Sequence, residues 1–238
     1  MILYMANDYF NFKQFSIKQD RCAFKVGTDG VLLGACLGLS DAKRILDIGT
    51  GTGLLALMAA QRCGAEIHAL EPDNDSYIQA KENFASSRWS DRIKIFNQRV
   101  QDFHGIGGKY DTIVSNPPYF SNSLKNPDRR KANARHDDSL TLNELLLAVV
   151  RLLSPEGRLW VIIPAGEAER LIDLAKSNRL FPGKIFEIYP KSNSGISRII
   201  LSFSGKEIAV SEDEIVIEGS EHHCYTEKYK ELTKDFYL

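Results

Sequence analysis

The chain has 238 residues, 43% of them hydrophobic, and a formal net charge of −1. That length suits one large domain or two small ones, and the apolar fraction supplies a full core, which excludes a disordered chain. The near-neutral balance excludes nucleic-acid binding by bulk charge and leaves only a local basic patch for such a partner.

In chain order, the opening MILYMANDYFNFKQF (1–15) mixes apolar residues with Asn, Asp and Lys. It lacks a basic region ahead of an apolar stretch, so no signal peptide is expected. KVGTDGVLLGA (25–35) is a glycine-containing turn running into a helix, VLLGACLGL, which Asp29 is placed to cap. RILDIG (44–49) reads as a short buried strand, and LLALMAAQRC (54–63) as the helix after it. EIHALEPD (66–73) is a second strand, followed by a helix over 74–87 capped by Asp73 or Asn74. IKIFNQ (93–98) and YDTIVS (110–115) are the third and fourth strands. Thr141 and Glu144 form a capping box that opens NELLLAVVRLL. RLWVIIP (158–164) is a fifth strand, and GEAERLIDLAKSNRL another helix. KIFEIYP and SRIILSF close the pattern, joined by KSNSG, which is too short for a crossover helix, so these two strands pair antiparallel.

Alternation of this kind gives an α/β fold with helices on both faces of a mostly parallel, seven-stranded sheet whose last strand is antiparallel. One domain over 1–238 is expected, with an N-terminal extension at 1–43, the core at 44–204 and a C-terminal extension at 205–238. No apolar run approaches the roughly 20 residues that span a bilayer. The four cysteines are far apart, no Cys/His cluster has zinc spacing, and His222-His223 lacks an acid or cysteine partner, so no metal is expected. A cytoplasmic monomer with free thiols is expected.

The chemistry gathers at two strand ends. LDIGTGTG (46–53) places three glycines in five residues where the first strand meets its helix. Such a turn brings backbone close to a ligand and aims helix N–H groups at it. Glu71 ends the second strand about 20 residues on, where an acceptor for a ribose hydroxyl would stand. The spacing is G-x-G-x-G with Asp47 ahead of it, not the G-x-G-x-x-G of a dinucleotide site, and it resembles motif I of the class I methyltransferases that use S-adenosylmethionine.

SNPPYF (115–120) ends the fourth strand at the same carboxyl edge. An exocyclic amine conjugated to a ring is a poor nucleophile because its lone pair is delocalised. Acceptors that hold both N–H bonds turn the lone pair toward an incoming methyl group. The Asn116 side-chain oxygen and the Pro117 carbonyl are two such acceptors, Pro117 and Pro118 fix their direction, and Tyr119 offers a flat face to a flat substrate. N-P-P-Y is similar to the motif of amino-methyltransferases acting on N6 of adenine, N4 of cytosine, N2 of guanine or the amide of glutamine.

SNSLKNPDRRKANARH (121–136) follows directly and carries Lys125, Arg129, Arg130, Lys131 and Arg135 against Asp128. Beside a target pocket, that charge would track phosphates. His136 is either a substrate contact or an ordinary loop residue.

Taken together, KVGTDGVLLG, LDIGTGTG and SNPPYF, with ARHDDSLTL, GRLWVIIP and the terminal YTEKYKELTKDFYL, resemble the bacterial valine-tRNA (adenine-37-N6) methyltransferases along almost the whole chain. The resemblance implies S-adenosylmethionine as cofactor and a tRNA adenine as acceptor. It implies cofactor contacts from Asp47, Gly49, Thr50, Gly51, Gly53 and Glu71. It also implies that Asp102 and Phe103 lie against the cofactor's adenine, and that Gly27, Thr28 and Asp29 fold back over it. The alternative is glutamine amide methylation of a protein such as a release factor, which commonly brings a separate N-terminal helical domain.

Overall fold

The computed structural model describes residues 8–22, 24–117, 140–219 and 224–238. Ten strands lie among them. A two-stranded hairpin joins β1 (Tyr9–Asn11) to β2 (Ser16–Lys18). The other eight form one sheet: β3 (Arg44–Ile48), β4 (Glu66–Leu70), β5 (Ile93–Phe96), β6 (Tyr110–Ser115), β7 (Leu153–Pro164), β8 (Phe181–Lys191), β9 (Arg198–Ser204) and β10 (Ser211–Glu218). Their order across the sheet is β10-β8-β9-β7-β6-β3-β4-β5. Only β9 runs against the rest, inserted between β7 and β8. The antiparallel pairing expected of the two strands around KSNSG is therefore present.

The sheet has eight strands rather than seven. The extra one, β10, lies in the C-terminal extension and pairs parallel with β8 at the sheet edge. Its first four residues, Ser-Glu-Asp-Glu, are all exposed. Charge on an edge strand blocks further pairing, and it also removes the apolar alternation by which a strand is recognised in sequence.

Alternate residues of the strands feed two cores. Ile45, Ile67, Val114, Trp160 and Ile162 point to the face covered by α1 (Thr28–Cys36), α2 (Leu54–Arg62) and α3 (Asn74–Ala85). Leu46, Ile48, Ile113, Leu159 and Val161 point to the face covered by α4 (Leu142–Leu152) and α5 (Ala168–Ser177). Helix α4 begins with the expected capping box between Thr141 and Glu144, and α3 is capped by Asp73, whose Oδ1 accepts from the Ser76 N–H at 2.9 Å. Helix α1 corrects the sequence reading. It starts at Thr28 with Gly27 at its cap position, so Asp29 lies in the first turn and does not cap.

The N-terminal hairpin and the C-terminal residues pack together on the first face. The Lys13 N–H donates to the Phe236 carbonyl at 2.8 Å, and a last helix, α6 (Glu227–Thr233), packs against α1. Among the described residues no helix is long and apolar enough to cross a membrane.

Candidate active site

The register of the parallel strands fixes which residues share the carboxyl edge. Phe96 pairs with Leu70, Leu70 with Ile48, and Ile48 with Ser115. One step further on, Asn97, Glu71, Gly49 and Asn116 leave the sheet in a single row. The glycine loop, the acid of the second strand and the Asn-Pro pair are therefore neighbours, although 67 residues separate Gly49 from Asn116 in the chain.

The loop over residues 49–53 owes its path to left-handed backbone. Gly49 and Gly51 have φ of +72° and +55°, and a Cβ built on either meets nothing within 4 Å, because both face open space at the sheet edge. Gly53 (φ +89°) differs: a Cβ there would stand 2.5 Å from Phe84 Cε1, so this glycine lets α2 and α3 approach. The Gly49 and Thr50 N–H groups both donate to the Leu70 carbonyl, at 2.9 and 3.0 Å.

Asp47 and Thr50 brace this loop from beneath. Asp47 is fully buried; its Oδ2 accepts from Thr50 Oγ1 at 2.5 Å and from the Ala56 N–H at 3.2 Å. Its Oδ1 is buried with no hydrogen-bond partner. Burial pushes the carboxyl up to about 7, with the charge of Glu71 adding to the rise and the two hydrogen bonds opposing it. Both side chains point into the loop and not out of it.

Glu71 stands at the mouth. Its Oε2 accepts from the Gly51 N–H at 2.8 Å and its Oε1 from the Asp73 N–H at 3.0 Å. Burial raises its carboxyl above the usual range, against these two bonds. Each carboxylate oxygen has two acceptor sites, so each keeps one for a hydroxyl.

Asn116 is half-buried directly after β6, and Ser115 before it anchors the strand end by donating to the Ile48 carbonyl at 2.9 Å. The α1 turn comes up against the same point: a Cβ on Gly30 would lie 4.0 Å from Asn116 Nδ2 and 2.8 Å from Leu54 Cδ2, at the start of α2. Gly27 and Thr28 are exposed at the head of α1. Asp29 accepts from Arg198 Nε at 2.8 Å. Because β9 is antiparallel, its first residue lies at the carboxyl edge, opposite Pro164. The three sequence motifs thus converge on one edge.

Asp102 is exposed in the turn after β5, whereas Phe103 is 2% exposed and packs against Phe96 and Tyr110 at 5.5 and 6.5 Å between centroids. The ring expected against an adenine is buried, packed beside Phe96 at the end of β5. Pro117 is buried after Asn116. Pro118 and Tyr119 lie outside the described residues, as do Lys125, Arg129, Arg130, Lys131 and Arg135.

The structure adds residues that sequence reasoning missed. Asn83 of α3 donates to the carbonyls of Lys18 and Thr52 at 2.9 and 2.8 Å, tying the N-terminal hairpin to the glycine loop. Gln79 accepts from the Arg21 N–H at 3.0 Å. With Ser76 they form a buried polar stripe at helical spacing, 76-79-83, a signal legible in the sequence. Arg198 carries no such signal. Asn97, next in the row, donates to the Glu71 carbonyl at 2.9 Å. Among the described residues no group of three His, Cys, Asp or Glu side chains could hold a metal ion.

Comparison with known proteins agrees with this layout. The model of the methyltransferase small domain family matches residues 23–174. A protein of Bacteroides fragilis named tRNA1(Val) (adenine(37)-N6)-methyltransferase is 45% identical over 236 residues, covering 98% of this chain and 99% of its own. One of the same name from Christiangramia forsetii is 47% identical over 239 residues, with the same coverage of both chains. Among solved structures, a predicted O-methyltransferase from Agrobacterium tumefaciens superposes with a TM-score of 0.70 at 17% identity, covering 87% of this chain and 96% of its own, a likeness of fold. The chain belongs to the family of the tRNA1(Val) (adenine(37)-N6)-methyltransferases, within the methyltransferase small domain group.

Proposed function

We propose that the protein transfers a methyl group from S-adenosylmethionine to N6 of an adenine in tRNA, adenine 37 of a valine tRNA as the relatives' names have it. The observation that carries the reading is the row Glu71, Gly49, Asn116 along one sheet edge, which puts a ribose acceptor, an open backbone cradle and an amine acceptor side by side.

The residues fit an adenosyl cofactor. Gly49 and Gly51 leave open the space that side chains would fill, and Glu71 keeps acceptor capacity at the mouth. S-adenosylmethionine, when bound, supplies a methyl carbon made electrophilic by its sulfonium. The rest falls to the chain. Asn116 Oδ1 and the Pro117 carbonyl take the two N–H bonds of the adenine amine and free its lone pair. The nitrogen gains the methyl as the bond from the methyl carbon to sulfur breaks, leaving the neutral thioether S-adenosylhomocysteine. The alkylated nitrogen, acidic only then, gives up one proton to solvent, so no general base is required before attack. An adenine in RNA must leave its stack to reach this edge, at a cost of a few kcal/mol. Tyr119 offers it a stacking face, and the basic residues at 125–135 offer partners to the adjoining phosphates. Glutamine amide methylation uses the same acceptors, but relatives matching nearly the full length carry the tRNA name and weigh against it.

The test is mass spectrometry of nucleosides from tRNA incubated with the protein and isotope-labelled cofactor. N6-methyladenosine carrying the label is expected. Label appearing in a release-factor glutamine and in no nucleoside would overturn the reading.

A further inference from the structure

A groove of about 1060 Å³ opens beside the edge, outside the row that serves the cofactor and the amine. Its floor is the ends of β8 and β10, its outer wall is α6 with the last residues of the chain, and its inner end is Thr28, Asp29 and Arg198. That inner end is the α1 turn that abuts Asn116. A polymer leaving the amine site toward β9 therefore crosses Arg198 and enters the groove.

The lining combines two chemistries. Lys13, Lys191, Arg198, Lys230 and Lys234 line it with Asp29 and Glu218, and Glu227 and Glu231 pair with two of the lysines, so five cations stand against four carboxylate side chains. Several of these cations are held by surface ion pairs, Lys191 with Glu218 at 3.7 Å and Lys230 with Glu227 at 2.7 Å, pairings that salt screens and a phosphate can replace. Between the cations lie aromatic rings. Tyr225, 45% exposed, packs on Tyr229 at 5.1 Å, and Tyr237 lies 6.4 Å beyond. Cations to follow a backbone and an exposed ring to stack on are what single-stranded nucleic acid requires.

We propose that this groove is a second RNA subsite, which takes the nucleotides next to the target base, with their phosphates on Lys191, Arg198, Lys230 and Lys234 and a base on Tyr225. The proposal rests on the RNA reading above but is separable from it, because it is read by binding without methyl transfer.

The test compares tRNA binding by the full chain across a salt series. The triple variant Lys191→Gln, Lys230→Gln, Lys234→Gln is expected to raise Kd at least tenfold near physiological salt. It should flatten the log–log salt dependence by about 0.7–0.9 for each phosphate that the protein no longer neutralises. Tyr225→Ala is expected to raise Kd about fivefold to tenfold with the slope unchanged, since stacking releases no counterions. Binding of S-adenosylhomocysteine reports that each variant is folded; if the triple variant loses it, the single variants Lys230→Gln and Tyr225→Ala decide. Wild-type Kd and slope in folded variants would overturn the subsite. Polyglutamate bound more tightly than tRNA, and weakened by the same substitutions, would overturn RNA in favour of an acidic peptide. A wild-type protein that methylates no nucleoside, yet binds tRNA through these residues, would sink the proposed reaction and leave the groove standing.

Discussion

On the glycine-loop side of the edge, the hydrogen bonds of the Asp47 and Glu71 carboxyls join residues at most 20 apart, while Asn83 ties the same loop to the N-terminal hairpin 65 residues away. Asp47 and Thr50 are 3 apart, Glu71 and Asp73 are 2 apart, and Gly51 and Glu71 are 20 apart. On the β9 side they join distant ones: Asp29 and Arg198 are 169 apart, and Lys13 and the Lys234 carbonyl 221 apart. Loop-closure entropy grows slowly with length, so a distant bond can hold as firmly as a local one. What differs is the trace each leaves in the chain. A locally braced loop must write its brace within a few residues, and a distant pair writes nothing. The brace inside the glycine loop is thus written locally, whereas the Asp29–Arg198 contact is a product of the whole fold.

Asn116→Ala is the largest expected break in this comparison. Removing one preorganised polar partner should slow single-turnover methylation by about 10²–10³, while S-adenosylhomocysteine affinity stays near normal, since the proposed reaction gives Asn116 to the amine and Glu71 to the ribose. An equal fall in cofactor affinity would mean that the two sides are one site energetically.

The two kinds of glycine sharpen the division. Gly53→Ala drives a methyl into Phe84, so stability should fall by about 1–3 kcal/mol for overpacking in addition to the left-handed strain. Gly49→Ala meets no protein atom and should lose only about 1–2 kcal/mol of stability, yet weaken cofactor binding by tenfold or more. Chemical unfolding and calorimetry on the two variants separate the outcomes. Identical profiles would remove the case for an open cradle at Gly49.

The same division governs what is legible in the chain. The loop at 49–53, Glu71 and Asn116 are readable because each sits at the end of a strand whose apolar run announces it. The antiparallel β8–β9 pair is readable because KSNSG is too short for anything else. Edge strand β10 is not, since its solvent-facing charges hide the period. That Phe103 is buried beside Phe96 is not readable, because a lone aromatic after a turn carries no mark of whether it faces in or out. Asp29 reads as a cap because acids before helices often cap; its actual partner, Arg198, opens a strand 169 residues away.

Asp47 offers a pH-dependent test of the local brace. With its carboxyl held near 7, the folded chain keeps a proton between about pH 4 and 7 that the unfolded chain gives up. Stability from this group is therefore largest at the acid end of that window and falls as pH rises through it. Relative to Asp47→Asn, the wild type should lose up to about 1.4 kcal/mol per pH unit across the window. Urea titrations of both proteins at several pH values measure the difference. Parallel curves would mean that water reaches Oδ1 and that the carboxyl titrates as it does in the unfolded chain.

The smallest effect tests the distant side. The Asp29–Arg198 pair is about one-third exposed on each partner, at 29% and 32%, so its coupling should be modest, about 0.5–1 kcal/mol in a double-mutant cycle on stability. Binding should separate the two residues by sign. Arg198→Ala removes a cation from the path of the RNA and should weaken tRNA binding about threefold to tenfold. Asp29→Ala removes a negative charge beside Arg198 that would repel a phosphate, so tRNA binding should hold or tighten even as stability falls. If instead both substitutions weaken binding equally, and the double variant is no worse than either, the pair acts as a strut that positions the α1 turn against Asn116, and the phosphate is held by the lysines alone.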